Sequence, residues 1–178
     1  MRLLLIFENK SGIDRCKGQE IKDKLKSEIG GLNDLRIDKN HLEVDLFSED
    51  VSIIEKIASI LKERIIQVID LNSKIDINYN MYLKQRRFWE AHESLEEIWK
   101  NVKDKREKDS IRVSIQFCAA MVHYQRCNDS IAREIIKRAL KIDSDNEIIK
   151  RIIGVDLSAV SRDDPDLEAI MDQMAPLN

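Results

Sequence analysis

The spacing of apolar residues in this chain changes near Asn80. Before that point, short apolar runs and strict alternation predict β-strands, and two longer stretches with apolar residues three or four positions apart predict helices. After that point only the helical spacing remains. The sequence therefore predicts two domains, an α+β domain at residues 1–78 and an all-α helical bundle at residues 79–178.

The α+β domain is predicted to form a ferredoxin-like layer of order βαββα, as in a split βαβ unit. The predicted elements are a strand at residues 1–8, a helix at 14–29, hairpin strands at 35–37 and 42–46, and a long helix at 51–69. Residues 74–79 alternate again, so this segment is a candidate last strand and is otherwise a linker. His41 lies in the predicted hairpin turn, where we expect its side chain to be solvated.

The bundle is predicted to contain five helices. Two of them span residues 81–101 and 109–126, with a highly charged loop at 103–108 between them. Three more begin near Asp129, Ser144 and Asp164, since small polar residues precede each new helical pattern.

The composition is that of a soluble globular protein, with 43% hydrophobic residues, 35% charged residues and a net charge of −3. The richness in isoleucine, lysine and glutamate resembles that of thermophile proteins. The apolar run at residues 3–7 is too short to cross a membrane, and the acidic balance disfavours nucleic acid as a partner. Cys16, Cys118 and Cys127 are odd in number and show no metal-ligand spacing, so we expect reduced cysteines and a cytoplasmic location.

The segment 88–99 concentrates unusual side chains, namely both tryptophans, one of the three histidines and four glutamates. As a helix it carries one stripe on the side that faces the core, and the stripe consists of Phe88, Ala91, His92, Leu95, Glu96 and Trp99. The opposite side carries Glu90, Glu93, Glu97 and Lys100. We therefore expect His92 and Glu96 to be drawn inward, where each polar group needs a partner.

This run, with the later pattern at residues 115–120 and His123, resembles the family named domain of unknown function 309, over about residues 80–141. The resemblance implies a compact helical domain but no reaction. It also implies a set of polar positions, which are His92, Glu93, Glu96, Gln116 and His123.

The side chains of His92, Glu96 and His123 are of the types that bind a divalent metal such as zinc. In that reading His92 is the general base, oriented by Glu96, and a metal-bound water is the nucleophile. The remaining candidate binding residues are Glu93, Trp99, Gln116 and Tyr124. The alternative is that the same groups only hydrogen-bond to one another as a polar core.

We favour a non-catalytic helical interaction or scaffold protein, since no phosphate loop, nucleophile elbow or activated cysteine pattern occurs in the sequence. Its partner would be a protein, a peptide or a second copy of the chain. A metal-dependent hydrolase is the first alternative. An RNA-binding accessory protein is the second, based on the basic stretches at residues 84–87 and 100–108 near Tyr82.

Overall fold

The computed structural model describes residues 1–48, 50, 52–73, 77–143 and 147–174. Its backbone contacts divide the chain into two compact units. The sheet unit consists of Met1–Lys74 together with Gln125–Cys127. The helical unit consists of Ile75–Tyr124 and Asn128–Asn178.

The sheet unit is a four-stranded antiparallel sheet with two helices, which confirms the predicted α+β layer. Its elements are β1 (Arg2–Glu8), a 3₁₀ turn (Arg15–Lys17), α1 (Gly18–Glu28), β2 (Leu32–Ile37), β3 (His41–Phe47), α2 (Ser52–Leu61) and β4 (Ile65–Asp70). The strand order is β2-β3-β1-β4. The chain order is therefore βαββαβ, that of a complete split βαβ unit.

One face of the sheet forms the apolar core of this unit. Alternate residues of β1 pair with alternate residues of β3, such as Leu5 with Val44 and Phe7 with Leu42, and all four are buried. Leu25 of α1 and further residues of α2 belong to the same cluster. The two-residue period of a strand explains why strict alternation in the sequence predicts this face.

The last strand lies at residues 65–70, where we predicted the end of a helix. The helix α2 ends at Leu61, and Lys62 adopts a left-handed φ of 57°. The following Glu63 is buried and accepts hydrogen bonds from the backbone N–H groups of Lys10 (3.2 Å) and Ser11 (2.8 Å), which fixes the turn. The β-branched run after it pairs with β1 because such side chains suit a strand.

Among the described residues the last strand of the sheet is β4, and residues 77–79 of the candidate strand at residues 74–79 do not form a strand. Residues 74–76 lie outside the described residues. Tyr79 begins a helix.

The other face of β2 and β3 carries a buried charge network centred on Arg36. The Arg36 guanidinium donates to Glu43 (2.5 Å) and to Asp34 (3.1 Å), and His41 lies 3.1 Å from Glu43. Burial of Glu43 favours its protonated form, but the charge of Arg36 and the hydrogen bond with His41 prevail and lower the pKa of Glu43 to about 2. The expectation that His41 is solvated is wrong, since it is a buried residue of β3.

Within the sheet unit, Cys16 forms a disulfide with Cys127. Cys127 has a φ of 57° and lies two residues after Gln125, the last residue of the helix at Lys105–Gln125. The third cysteine, Cys118, is a buried free thiol whose pKa is raised by burial. The expectation that all three cysteines are reduced is therefore wrong. Sequence spacing gives no sign of the pair, because 111 positions separate its members.

The helical unit contains α3 (Tyr79–Lys84), α4 (Phe88–Asn101), α5 (Lys105–Gln125) except for its last residue, α6 (Asp129–Ile142), α7 (Glu147–Ile152) and α8 (Leu167–Gln173). Its apolar core is formed by buried residues of these helices, among them Phe88 and Leu95 of α4, Phe117 of α5 and Ile136 of α6. In the part of the chain that the structure describes, no helix combines the length and apolar character needed to cross a membrane.

Two helix starts differ from the prediction because other carboxylates cap them. The helix α5 begins at Lys105 rather than near Asp109, and the Asp104 carboxylate accepts a hydrogen bond from the backbone N–H of Glu107 (2.9 Å). The helix α8 begins after Asp166, whose carboxylate accepts from two backbone N–H groups of the first turn. In both cases the cap satisfies donors that a helix end leaves unpaired.

The disulfide leads to a count of thiols that can be measured directly. Unfolded, unreduced protein should show one reactive thiol, that of Cys118, and three after reduction. Cys118→Ala is the control and should show none before reduction. Titration with a thiol reagent in denaturant is the measurement, and three thiols without reductant would contradict the pairing. Cys127→Ser should also lower the free energy of unfolding by about 2–5 kcal/mol relative to the oxidised protein.

Candidate functional site

The helix α4 carries the Trp-Glu-Ala-His-Glu segment, and it begins after a sharp break in the chain. We predicted one helix at residues 81–101, but the structure has two, α3 and α4. Arg86 between them adopts a φ of 57°, and its guanidinium donates to the backbone carbonyl of Met171 (3.3 Å). A left-handed residue cannot continue an α-helix, so the apolar spacing runs on while the backbone turns.

A buried ion pair holds the first turn of α4. The Nε of Arg87 donates to the Glu90 carboxylate at 2.8 Å, and the Arg87 guanidinium lies 5.0 Å from the centre of the Tyr82 ring. Arg87 also donates to the side-chain oxygen of Gln85 (3.1 Å). Glu90 is only 1% exposed, although the helical spacing predicted it on the outer side. Its burial is tolerated because a positive partner is buried with it.

The predicted pair His92 and Glu96 lies nearer to the surface than expected. The side chains of His92, Glu93 and Glu96 are 24%, 38% and 43% exposed. His92 Nδ1 is 3.6 Å from a Glu93 oxygen, and His92 Nε2 is 3.9 Å from a Glu96 oxygen. These distances are too long for strong hydrogen bonds. The three groups are thus half-buried and not locked to one another.

These three side chains can still hold a divalent cation together. Their nearest ligand atoms all lie within 4.8 Å of one another, and no other set of three such ligands occurs in the described ranges of the chain. One imidazole and two carboxylates are suitable ligands for zinc and similar metals. Glu93, which the sequence placed on the outer side, belongs to this set. His123, a predicted metal ligand on α5, does not belong to it.

The other predicted binding residues differ in their surroundings. Trp99 is half-buried with the Lys108 ammonium 4.3 Å from its ring centre, while Tyr124 is buried in the core. Trp99 Nε1 and Gln116 Oε1 are buried and have no hydrogen-bond partner among the residues that the structure describes. His123 is half-buried on α5. Trp99 and Gln116 therefore keep unused hydrogen-bonding capacity.

An open cleft of about 500 Å³, the α4–α5 cleft, lies beside α4. It is lined by Tyr79, Leu95, Ile98, Arg106, Glu107, Ser110, Ile111, Arg151 and Ile152. These residues come from α3, α4, α5 and α7, so the lining combines apolar side chains with two guanidinium groups. Sequence reasoning missed this site because its members are spread over more than seventy positions of the chain.

The two arginines of the cleft are notable because nothing in the described chain neutralises them. Arg106 and Arg151 are exposed, and neither guanidinium has a hydrogen bond or ion pair to another described residue. Glu107 is the single acidic residue of the lining. The hydroxyl of Ser110 donates to the backbone carbonyl of Arg106 (3.0 Å), so it is already engaged.

Comparison with known proteins bears on this region alone. Residues 78–135 match the model of the domain of unknown function 309 (DUF309). This match confirms the resemblance over a segment of the chain that includes α3, α4 and α5. No curated protein and no solved structure matches the chain.

The DUF309 segment supplies most of the α4–α5 cleft. Arg151 and Ile152 of α7 lie beyond the matched residues. The His92, Glu93 and Glu96 cluster lies entirely within the segment. The cluster and most of the cleft are thus features of one helical hairpin, and α7 completes the cleft.

The basic stretch at residues 84–87 is not a continuous surface patch. Arg86 and Arg87 are buried, and their guanidinium groups bind partners inside the helical unit. These two charges are therefore not available to contact a phosphate backbone, which requires solvent-accessible cations.

The ion pair at the start of α4 predicts which glutamate matters for stability. Glu90→Ala should lower the free energy of unfolding by about 3–5 kcal/mol, because it leaves the Arg87 charge buried without this partner. His92→Ala and the exposed-face control Glu97→Ala should each change it by no more than about 0.5 kcal/mol. Urea unfolding followed by circular dichroism is the measurement. Equal losses for Glu90→Ala and Glu97→Ala would contradict the buried pair.

Proposed function

We propose that the helical unit is a non-catalytic binding module that takes an acidic peptide segment in the α4–α5 cleft. The observation that carries this proposal is the pairing of apolar lining with two guanidinium groups that lack partners among the described side chains. A volume of about 500 Å³ is within the usual range of ligand sites.

The apolar residues of the cleft supply the contact area. Leu95 and Ile111 are buried at the base of the cleft lining. Ile98, Ile152 and Tyr79 are half-buried, and the exposed portions of these three side chains face the open space of the cleft. Covering apolar surface is favourable by about 25 cal/mol per Å². A peptide that offers aliphatic side chains at alternate positions would fill this space, since alternation presents them on one face.

The arginines of the cleft select the charge of the ligand. A guanidinium group forms two parallel hydrogen bonds with a carboxylate. Each hydrogen bond to a charged group contributes about 1.5–3 kcal/mol. Arg106 and Arg151 lie on separate helices at one cleft. Together they favour a segment with two acidic residues over a neutral or basic one.

The chemistry of the lining supports binding rather than catalysis. Among the described residues, the cleft lining contains no histidine or cysteine, and the Ser110 hydroxyl donates to a backbone carbonyl. Glu107 and Tyr79 also line the cleft, but Glu107 is exposed, and the lining does not pair a nucleophile with a base as covalent catalysis requires.

The binding proposal predicts a charge-dependent affinity. A short fluorescein-labelled peptide that alternates leucine and glutamate should bind the full chain. The double variant Arg106→Glu with Arg151→Glu should raise the dissociation constant of this peptide at least tenfold, which is equivalent to about 1.4 kcal/mol. Fluorescence anisotropy at low salt is the measurement. The matched control is Arg112→Glu, an exposed arginine of α5 outside the cleft lining. The proposal fails if the control weakens binding equally, or if a leucine–lysine peptide binds as well.

A second candidate function is divalent metal binding at His92, Glu93 and Glu96. The proximity of the three ligand atoms favours it. Three protein ligands leave coordination positions open, as in catalytic zinc sites. This site is where the metal-dependent hydrolase alternative would be located, with His92 and Glu96 as metal ligands and the general base still to be supplied by another group.

Metal binding would be visible in protein purified without an affinity tag. Zinc should bind with one ion per chain and raise the unfolding temperature, because a ligand that binds only the folded state stabilises it. His92→Ala should abolish both effects, and Glu97→Gln on the same helix should preserve them. Calorimetric titration and thermal unfolding are the measurements. Unchanged zinc binding by the His92→Ala variant would exclude this site.

RNA binding and a cytoplasmic location stay predictions from the sequence. The burial of Arg86 and Arg87 removes support from RNA binding. The cytoplasmic location was predicted from reduced cysteines. The Cys16–Cys127 disulfide counts against that reason, since disulfides are rare in the cytosol.

A further inference from the structure

A second open cleft of the helical unit, the α3–α7 cleft, adjoins the α4–α5 cleft and has a volume of about 330 Å³. Its lining includes Asn80, Leu83, Lys84, Arg151, Ile153 and Met174. Arg151 and Ile152 of α7 line both clefts. On α3, Tyr79 lines the first cleft and the next residue, Asn80, lines the second. The two clefts therefore meet where α3 and α7 border both of them.

The floor of the α3–α7 cleft is apolar. Leu83, Ile153 and Met174 are buried, and Ile152 is half-buried. Gly154 borders the cleft, and a Cβ atom placed on it would meet no atom within 4 Å, so the space beside it is open. The cleft can thus accept an aliphatic side chain of a ligand, as the α4–α5 cleft can.

The polar part of this lining is basic. Lys84 and Arg151 are exposed, and neither side chain has an ion pair or hydrogen bond to another described residue. Asn80 lies one turn before Lys84 on the same face of α3, and its amide is likewise unengaged within the described chain. Among the described residues, the lining contains no carboxylate side chain. The charge of this cleft therefore favours an acidic ligand.

We propose that the acidic peptide of the α4–α5 cleft continues past α7 into the α3–α7 cleft, so that one extended segment occupies both. This inference rests on the binding function proposed above. The acidic residues of the segment bind Arg106 in the first cleft, Arg151 at the crossing and Lys84 in the second cleft. Arg151 suits the crossing because it lines both clefts and can form two parallel hydrogen bonds with one carboxylate.

The length of α3 sets the extra length that the peptide needs. The helix runs from Tyr79 in the first cleft to Lys84 in the second, six residues that rise about 7.5 Å. An extended chain advances about 3.3 Å per residue, so about two further residues carry the peptide from the crossing to Lys84. An alternating sequence fits this distance, because it offers one leucine to the apolar floor between two glutamates at the basic rim.

Fluorescence anisotropy with lengthened peptides tests the proposal. The short leucine–glutamate peptide would contain two glutamates, and it would be extended by one leucine and one glutamate at its N-terminus in one version and at its C-terminus in another. One of the two versions should bind the full chain at least tenfold more tightly than the short peptide, because the second cleft adjoins the first on one side. Replacing the added glutamate with glutamine should remove most of this gain.

A charge reversal at Lys84 shows whether the gain comes from the α3–α7 cleft. Lys84→Glu should cancel the gain of the lengthened peptide and change the affinity of the short peptide by no more than about twofold. The matched control is Lys100→Glu, at an exposed lysine of α4 outside both linings, which should leave both affinities within about twofold.

The outcomes separate this inference from the proposed function. Equal affinities of the short and both lengthened peptides, or equal losses with Lys84→Glu and Lys100→Glu, would overturn the extension into the second cleft while the short peptide still binds through Arg106 and Arg151. A short peptide whose affinity does not depend on these two arginines would instead refute the proposed function, and this inference with it.

Discussion

The buried ion pair between Arg87 and Glu90 is the constraint on which the helical unit depends. Two charges can leave water only if they compensate each other, and Tyr82 adds its ring face to the arginine. The pair lies where the chain turns at Arg86, so it fixes the direction in which α4 begins. With that direction set, Leu95 and Ile98 contribute to the cleft while His92 and Glu96 remain half-buried.

Much of the sheet unit could be predicted from the sequence because strand alternation reports directly on a two-sided sheet. The strand β1, the helix α1 and the hairpin of β2 and β3 lie where the pattern placed them. The strand β4 was missed because its isoleucines continue the helical spacing of α2. Only the left-handed Lys62 and the hydrogen bonds of Glu63 separate the two elements, and periodicity cannot report on tertiary bonds of that kind.

The candidate site was predictable in part. The crowding of histidine and glutamate on one turn identified the cluster at His92 and Glu96, although their burial was overestimated. Helical spacing alone placed Glu90 outside, since it takes no account of a neighbouring arginine that enters the core with it. The cleft could not be predicted, because Arg106 and Arg151 meet only after α5 and α7 have packed. The disulfide between Cys16 and Cys127 could not be predicted for the same reason, because residues so far apart in the sequence meet only in the folded chain.

A double-mutant cycle at the start of α4 tests the central constraint most directly. The free energy of unfolding would be measured for Arg87→Met, Glu90→Leu and the double variant. The buried pair predicts that each single variant loses about 3–5 kcal/mol, because each leaves an uncompensated charge, and that the double variant loses much less than their sum. A coupling energy of about 2 kcal/mol or more is expected. Additive losses would show that Arg87 and Glu90 do not stabilise each other, which would contradict this account of α4.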